Sequence, residues 1–371
     1  MCKRIIFITP GPIYRPHSRL CQRKYRKLST KFEGYILSTS TVSENITIGN
    51  FRYLLMKSNY TMISKLKFGL FCIQNAIKIL GTNQKIDLVT TYDPLTTGLI
   101  GLIVSRILKA KFVPEVNGVY TSSANWIDGI ESISTKLKRA IIPIIMRFVL
   151  KRSDGVKLLF QSQIDPFKEV VNGKIIRIFP NYIPIDMFKN MKEEKEVLFV
   201  GFPFKRKGVD ILIDAFKKVS PKYPDWKLKI LAWLPDPTEL RRAIGGHSQI
   251  YHHPPVPYHE MPEHIGACAI LVLPSRSEAM GRILIEAMAA GKPRIGSNID
   301  GIPTVINEGV DGLLFNPESV DDLSSRLDLL MGAPVLRQRL GRAAGIRAMK
   351  EFTEEIYVRN LVSFYNDVLD G

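Results

Sequence analysis

Short apolar runs alternate with amphipathic helical patterns along this chain, and the alternation stops near residues 185–196 and then begins again. No other feature restricts the fold as much. Buried strands separated by helices require a parallel sheet covered on both faces. In the first half, residues 4–9, 35–38, 86–90, 112–116, 155–160 and 174–179 read as strands. Helical patterns cover 17–30, 61–80, 94–110 and 133–151, the last kinked or split at Pro143. After the charged, poorly periodic linker, strands are predicted at 196–200, 228–233, 271–273 and 294–296. Helices are predicted at 208–219, 282–290, 320–330, 334–350 and 354–369. The pattern predicts two doubly wound α/β domains, 1–190 and 191–352. A C-terminal helix over 353–371 is expected to pack back toward the first domain. A length of 371 residues suits two domains. Open parallel sheets bind ligands beyond the carboxyl ends of their strands, so two such domains facing one another would hold a site in the cleft between them.

Charge separates the halves. Residues 1–190 hold 29 Lys and Arg against 11 Asp and Glu, whereas 191–371 hold 23 against 24. The formal charge of +17 therefore comes from the first half, which is expected to meet an anionic surface. Its densest cations are Arg15, Arg19, Arg23, Lys24, Arg26, Lys27 and Lys31. A second group, Lys136, Lys138, Arg139, Arg147, Lys151 and Arg152, brackets the apolar stretch 140–146. Basic amphipathic helices of this kind suit an anionic membrane surface, and solvated helix faces are the plainer alternative. No run of about 18 apolar residues is present, so a peripheral rather than a spanning protein is expected. Residues 4–10 form an apolar run that turns into Gly11-Pro12, unlike a secretory signal. Four unpaired, distant cysteines suit a reduced, cytoplasmic setting.

Two segments carry chemistry. In the first, Val197-Leu198-Phe199-Val200-Gly201 runs into Phe202-Pro203-Phe204-Lys205-Arg206-Lys207-Gly208. Three cations stand before a helix, where a guanidinium fork and an ammonium match phosphate oxygens. In the second, Pro274-Ser275-Arg276-Ser277-Glu278-Ala279-Met280-Gly281 opens a helix that contains Glu286. A helix N-terminus offers unpaired N–H groups to phosphate, and Gly281 permits close backbone approach. Glu286 within an apolar helix face is costly unless it accepts hydrogen bonds, which sugar hydroxyls would supply; an exposed helix position is the alternative.

Together and in this order, the two segments resemble the retaining glycosyltransferases of GT-B fold, the group 1, family 4-like enzymes that use nucleotide-activated sugars. Glu278 and Glu286 fall on that family's two glutamate positions. The resemblance continues through Gly291-Lys292-Pro293, Gly301-Ile302-Pro303 and Asn307-Glu308-Gly309-Val310-Asp311-Gly312, and upstream at Phe179-Pro180-Asn181 with Phe188. It implies an α/β GT-B architecture of two Rossmann-like domains facing a central cleft. It also implies roles. Glu286 would bind the ribose hydroxyls. Glu278 would meet the donor sugar or the positive charge developing at its anomeric carbon. The N–H groups of Met280, Gly281 and Arg282 would hold phosphate, and Arg206 and Lys207 would neutralise the leaving diphosphate in place of a metal ion. The backbone at Val256, in Pro255-Val256-Pro257, would face the base. Gly201 and Gly11, each in the loop after a first strand, complete the donor-binding set. Asn117 stands where many members carry a histidine beside the donor sugar; Glu115 and His17 are the other groups that could serve there. Phe202, Ala279-Met280 and Thr304 also depart from the usual pattern.

The resemblance thus implies a metal-independent hexosyltransferase. It would move sugar from a UDP- or GDP-sugar, with retention, to a membrane-associated or glycan acceptor. Such an enzyme would serve polysaccharide, lipopolysaccharide or glycolipid assembly from the inner face of the membrane. An epimerase or a phosphorylase could share the fold. A specific nucleic-acid binder is disfavoured, because no recognition module accompanies the charge. His252-His253 has no second ligand pair at metal-site spacing.

Overall fold

The strand β1 (Lys3–Thr9) is buried from Ile5 to Ile8, and its alternate side chains serve two different layers. Ile6 and Ile8 join one hydrophobic cluster, Ile5 and Phe7 another. This is why the sequence shows a continuous apolar run instead of a polar alternation. The computed structural model describes residues 2–9, 18–58, 62–129, 132–234 and 236–371. They divide into two units: Met1–Gly118, Ile133–Tyr182 and Glu354–Gly371 form the first, Val119–Ser132 and Ile183–Thr353 the second.

The first unit continues with α1 (Arg19–Leu28), β2 (Phe32–Ser40), β3 (Glu44–Ile48), β4 (Phe51–Lys57), α2 (Met62–Leu80), β5 (Leu88–Thr91), α3 (Thr96–Leu108), β6 (Lys111–Val116), α4 (Ile133–Lys151), β7 (Gly155–Leu158), α5 (Lys168–Val171) and β8 (Ile175–Ile178). The strands form one sheet in the order β3-β4-β2-β1-β5-β6-β7-β8, and only β3 is antiparallel. The sequence pattern shows neither β3 nor β4. β3 lies at the sheet edge with Glu44, Asn45 and Thr47 among its five residues, so it lacks the apolar run of a central strand. α4 is not split at Pro143: the helix is continuous, and Met146, Val149 and Leu150 anchor the turns beyond the proline.

On one face of this sheet, α2, α3 and the end of α4 cover Ile6, Ile8, Leu37, Val89 and Phe112. On the other, α1 and a helix over Glu354–Asp370 cover Ile5, Phe7, Phe32, Phe51 and Tyr53. Phe7, Tyr25, Phe51 and Tyr53 meet edge-on with ring centroids 5.4–5.7 Å apart. Arg23 and Lys27 of α1 pair with Glu354 and Glu355 at 2.7 and 3.0 Å, so part of that basic cluster is neutralised within the fold.

The second unit holds β9 (Glu196–Val200), α6 (Val209–Val219), β10 (Lys227–Leu231), α7 (Thr238–Ile244), β11 (Ile250–His253), α8 (Met261–Ala267), β12 (Ile270–Leu273), α9 (Arg282–Ala289), β13 (Arg294–Ser297), α10 (Ile302–Val305), β14 (Leu313–Phe315), α11 (Val320–Gly332) and α12 (Pro334–Glu351). The helix at Glu354–Asp370 is therefore α13. All six strands are parallel, in the order β11-β10-β9-β12-β13-β14. This doubly wound order reverses between β9 and β12, which opens a crevice at their carboxyl ends. The boundary expected at 190 moves to 182. Residues 183–190 belong to the second unit, where the Phe188 ring packs edge-on against Tyr258 at 6.2 Å. Residues 119–132 also join it: the Asp128 carboxylate accepts the Lys205 and Arg206 N–H groups at 2.5 and 2.8 Å.

Candidate active site

The loops that leave β9 and β12 meet at the strand-order reversal. Gly208 adopts φ 69° as the N-cap of α6, and a Cβ there would lie 1.9 Å from the Pro274 carbonyl oxygen. Only glycine allows the two loops this close. Arg276 then bolts them together. Its N–H donates to the Arg206 carbonyl at 2.8 Å, and its guanidinium takes both Asp210 oxygens at 2.8 and 3.0 Å. Behind the β12 loop, Ser277 Oγ and the Glu278 N–H both donate to Asp300.

That frame brings Lys207 and Glu278 into a direct ion pair, each side chain 15% exposed. Burial alone raises the Glu278 carboxyl. The Lys207 charge and hydrogen bond, the Arg206 charge and the Gly281 N–H together outweigh it and hold the group below the ordinary glutamate value. No hydrogen bond or ion pair holds the Arg206 guanidinium among the described residues.

Gly281 caps α9 at φ 66°. Its N–H helps to lower the Glu278 carboxyl. The Met280 and Arg282 N–H groups have no acceptor among the described residues and remain available. One turn on, Glu286 is 3% exposed, which rules out the exposed-helix alternative. Tyr258 OH and Arg282 Nε both donate to Glu286 Oε1, at 2.9 and 2.7 Å. Oε2 keeps no partner among the described residues. Burial pushes this carboxyl above its ordinary value, against the Arg282 charge and both hydrogen bonds. The Arg282 guanidinium also lies over the Tyr258 ring, 4.6 Å from its centroid.

Tyr258 escapes the sequence reading, and its only signal is its place just after Pro255-Val256-Pro257. Val256 is half-buried in that loop between β11 and α8. Gly201 ends β9 and donates its N–H to the Leu231 carbonyl at 3.2 Å. Phe202 and Trp233, beyond β9 and β10, form an exposed edge-on pair at 4.9 Å. Asp311 serves the fold: buried, it binds Arg294 and Arg347 at 2.6 and 3.0 Å.

Asn117 belongs to the first unit, at the carboxyl end of β6. Its Nδ2 donates to the Tyr92 carbonyl at 2.8 Å and to Glu115 at 3.3 Å, and its Oδ1 accepts from Asn181 at 3.0 Å. Lys157, fully buried, donates to Asn181 at 2.5 Å and to Glu115 at 3.2 Å. Burial pushes the Lys157 ammonium down, and Glu115 pulls against it. Asn117 and Glu115 are thus two members of one network. The apolar run around Lys157 conceals that residue in the sequence. Gly11 and His17 lie outside the described residues.

Two Rossmann-like parallel sheets, the second carrying this basic and carboxylate crevice, define an α/β protein of GT-B fold. Anabaena HepE in complex with UDP-glucose has the same fold, with a TM-score of 0.72 at 14% identity over 99% of this chain and 98% of that one. Residues 184–347 match the family model described as Glycosyl transferases group 1. An uncharacterized glycosyltransferase of Methanocaldococcus jannaschii is 26% identical over 311 residues, 81% of this chain and 82% of its own length. A D-inositol 3-phosphate glycosyltransferase of Thermobifida fusca is 27% identical over 187 residues, 47% of this chain and 42% of its own length. Residues 184–347 are similar to a glycosyltransferase group 1 domain, and the chain is an enzyme that transfers sugar.

Proposed function

We propose that this enzyme moves a hexose from a UDP- or GDP-sugar to a lipid-linked or glycan acceptor, with retention of anomeric configuration and without a metal ion. The observation that carries the reading is the Lys207–Glu278 pair at the strand-order reversal, eight residues before a buried Glu286 whose Oε2 has no partner among the described residues. Glu286 Oε2 would accept the ribose hydroxyls while Tyr258 and Arg282 hold Oε1. The Met280, Gly281 and Arg282 N–H groups, Arg206 and Lys207 would take the diphosphate. Their positive charge would stabilise the leaving group as the glycosidic bond breaks, which supplies the electrostatic part of catalysis. Glu278, ionised at neutral pH, would face the sugar and oppose the cationic character of the transition state. Asn117, held by Asn181, Glu115 and the Tyr92 carbonyl, would contribute from the first unit. The excess of cations in residues 1–190 supports an acceptor held at an anionic membrane, in cell-surface polysaccharide, lipopolysaccharide or glycolipid assembly, on the cytoplasmic side.

Thermal unfolding with UDP, GDP and UDP-glucose, with and without a chelator, tests the donor site. A nucleotide at about 100 times its dissociation constant adds about 2.7 kcal/mol. One base is expected to stabilise the wild type, unaffected by the chelator, and to lose its effect in Glu286→Ala. If no nucleotide stabilises the protein, or the chelator abolishes the effect, the reading fails.

A further inference from the structure

The three helices on one face of the first unit's sheet leave an apolar surface uncovered. α2 buries Phe68, Cys72, Ala76 and Ile79 and turns Ile63, Leu66, Leu70 and Ile77 outward, the latter 56–72% exposed. At helical periodicity those four fall within a sector of about 60°, opposite the buried four. α4 repeats the arrangement. Ile133, Leu137 and Ile144 are 87%, 58% and 66% exposed, while Met146 and Val149 are buried. α3 packs against both helices and adds Ile103 at 47% exposure. Monomer surfaces seldom leave so much contiguous apolar area without a partner.

The charges around this surface select the partner. α2 contains three Lys or Arg, α3 one and α4 five, and none of the three contains an Asp or Glu. Exposed Lys67 and Lys78 flank the stripe on α2, and Lys136 and Lys151 the stripe on α4. A second copy docking through the same face would set cations against cations, because a two-fold interface meets itself. A nucleic acid would use the cations and leave the Ile and Leu side chains in water. A bilayer with anionic headgroups satisfies both: the apolar residues enter the headgroup boundary and the cations meet lipid phosphates.

We infer that the α2–α3–α4 face is the membrane-docking surface of this enzyme and that its occupant is an anionic phospholipid bilayer. The inference rests on the reading of a membrane-held acceptor and gives that reading a place on the fold. It also moves the docking role away from α1, which covers the opposite face of the sheet and has Arg23 and Lys27 tied to α13.

Flotation of the full chain with vesicles tests it, using equal parts phosphatidylglycerol and phosphatidylcholine against phosphatidylcholine alone. The wild type is expected to float with the first and not the second. Leu66→Gln, Leu70→Gln, Leu137→Gln and Ile144→Gln combined should lower partitioning at least about tenfold while stabilisation by the nucleotide that binds the wild type, UDP or GDP, persists. Lys67→Gln, Lys78→Gln, Lys136→Gln and Lys151→Gln should lower it about fivefold per cation. Arg26→Gln, Lys27→Gln and Lys31→Gln on the opposite face should leave it within about twofold. No flotation of the wild type overturns the inference. So does undiminished flotation of the Gln-for-Leu/Ile variant, or a solution dimer that this variant dissolves. Failure of both UDP and GDP to stabilise the wild type condemns the donor reading alone, whatever the vesicles show.

Discussion

Replacing Lys207 by Met removes the closest counter-charge of Glu278 and leaves most of the packing volume in place. Breaking a buried ion pair from one side costs about 3–5 kcal/mol. Here each side chain retains 15% exposure, and Arg206 and the Gly281 N–H still act on the carboxylate. A loss of about 2 kcal/mol at neutral pH follows. The pH dependence separates this cause from lost packing. In the wild type the folded carboxyl lies below its unfolded value of about 4.5. Its contribution is present above that value and is lost as pH falls through the lower folded one. In Lys207→Met the desolvation is opposed less, and the folded carboxyl rises. The native state then holds its proton longer than the unfolded chain, so the variant loses stability as pH climbs above about 4.5. The gap between the two proteins must therefore widen from about pH 4 to pH 7. Urea unfolding at both ends of that window measures it. Adding Glu278→Gln to Lys207→Met should recover at least half of the loss, because no uncompensated charge remains. A gap that stays constant with pH, or a double variant no better than the single one, would refute the electrostatic account.

Gly208→Ala should cost about 3 kcal/mol, from its left-handed φ and the 1.9 Å approach to Pro274, and should weaken UDP binding with it; denaturation and calorimetry report both. Tyr258→Phe should weaken nucleotide binding about tenfold, read by calorimetry, while lowering stability by only about 1 kcal/mol. Lys157→Met should destabilise the protein by about 3 kcal/mol, because Glu115 and Asn181 lose their shared partner inside the first unit; urea unfolding at neutral pH checks it.

The sequence discloses the two loops of the candidate site, though not β11, β14, α7, α8 or α10 of the same unit, for a physical reason. The β9 and β12 loops need particular residues in order: a strand glycine, cations, a glycine where two backbones collide, and a carboxylate before the helix. Such demands leave a readable string. Lys207 and Glu278 could therefore be named as two candidates, though their pairing depends on Gly208 and Arg276, which only the three-dimensional contact explains. Tyr258 was hidden because its role is one hydroxyl aimed at Glu286, which no local pattern requires. Lys157 was hidden because its charge is answered by Glu115 and Asn181 from neighbouring parts of the sheet's carboxyl edge. β3 leaves no mark in the sequence because an edge strand is stabilised by one neighbour's backbone and needs no apolar run. The resemblance runs through Asp311, whose work is to hold Arg294 and Arg347 inside the unit.

The position of α13 bears on how the polypeptide is made. Its Tyr357, Leu361, Phe364 and Tyr365 complete the face of the first sheet that holds Phe7, Phe32 and Phe179. On a ribosome, that face stays unsealed until the whole second unit has emerged. The second unit can therefore reach its native state before the unit that precedes it in the chain, and the nascent first sheet must wait with an aromatic surface open to water. A fragment ending near residue 190 would keep that surface permanently, so an isolated first unit calls for residues 354–371 to be joined back to it.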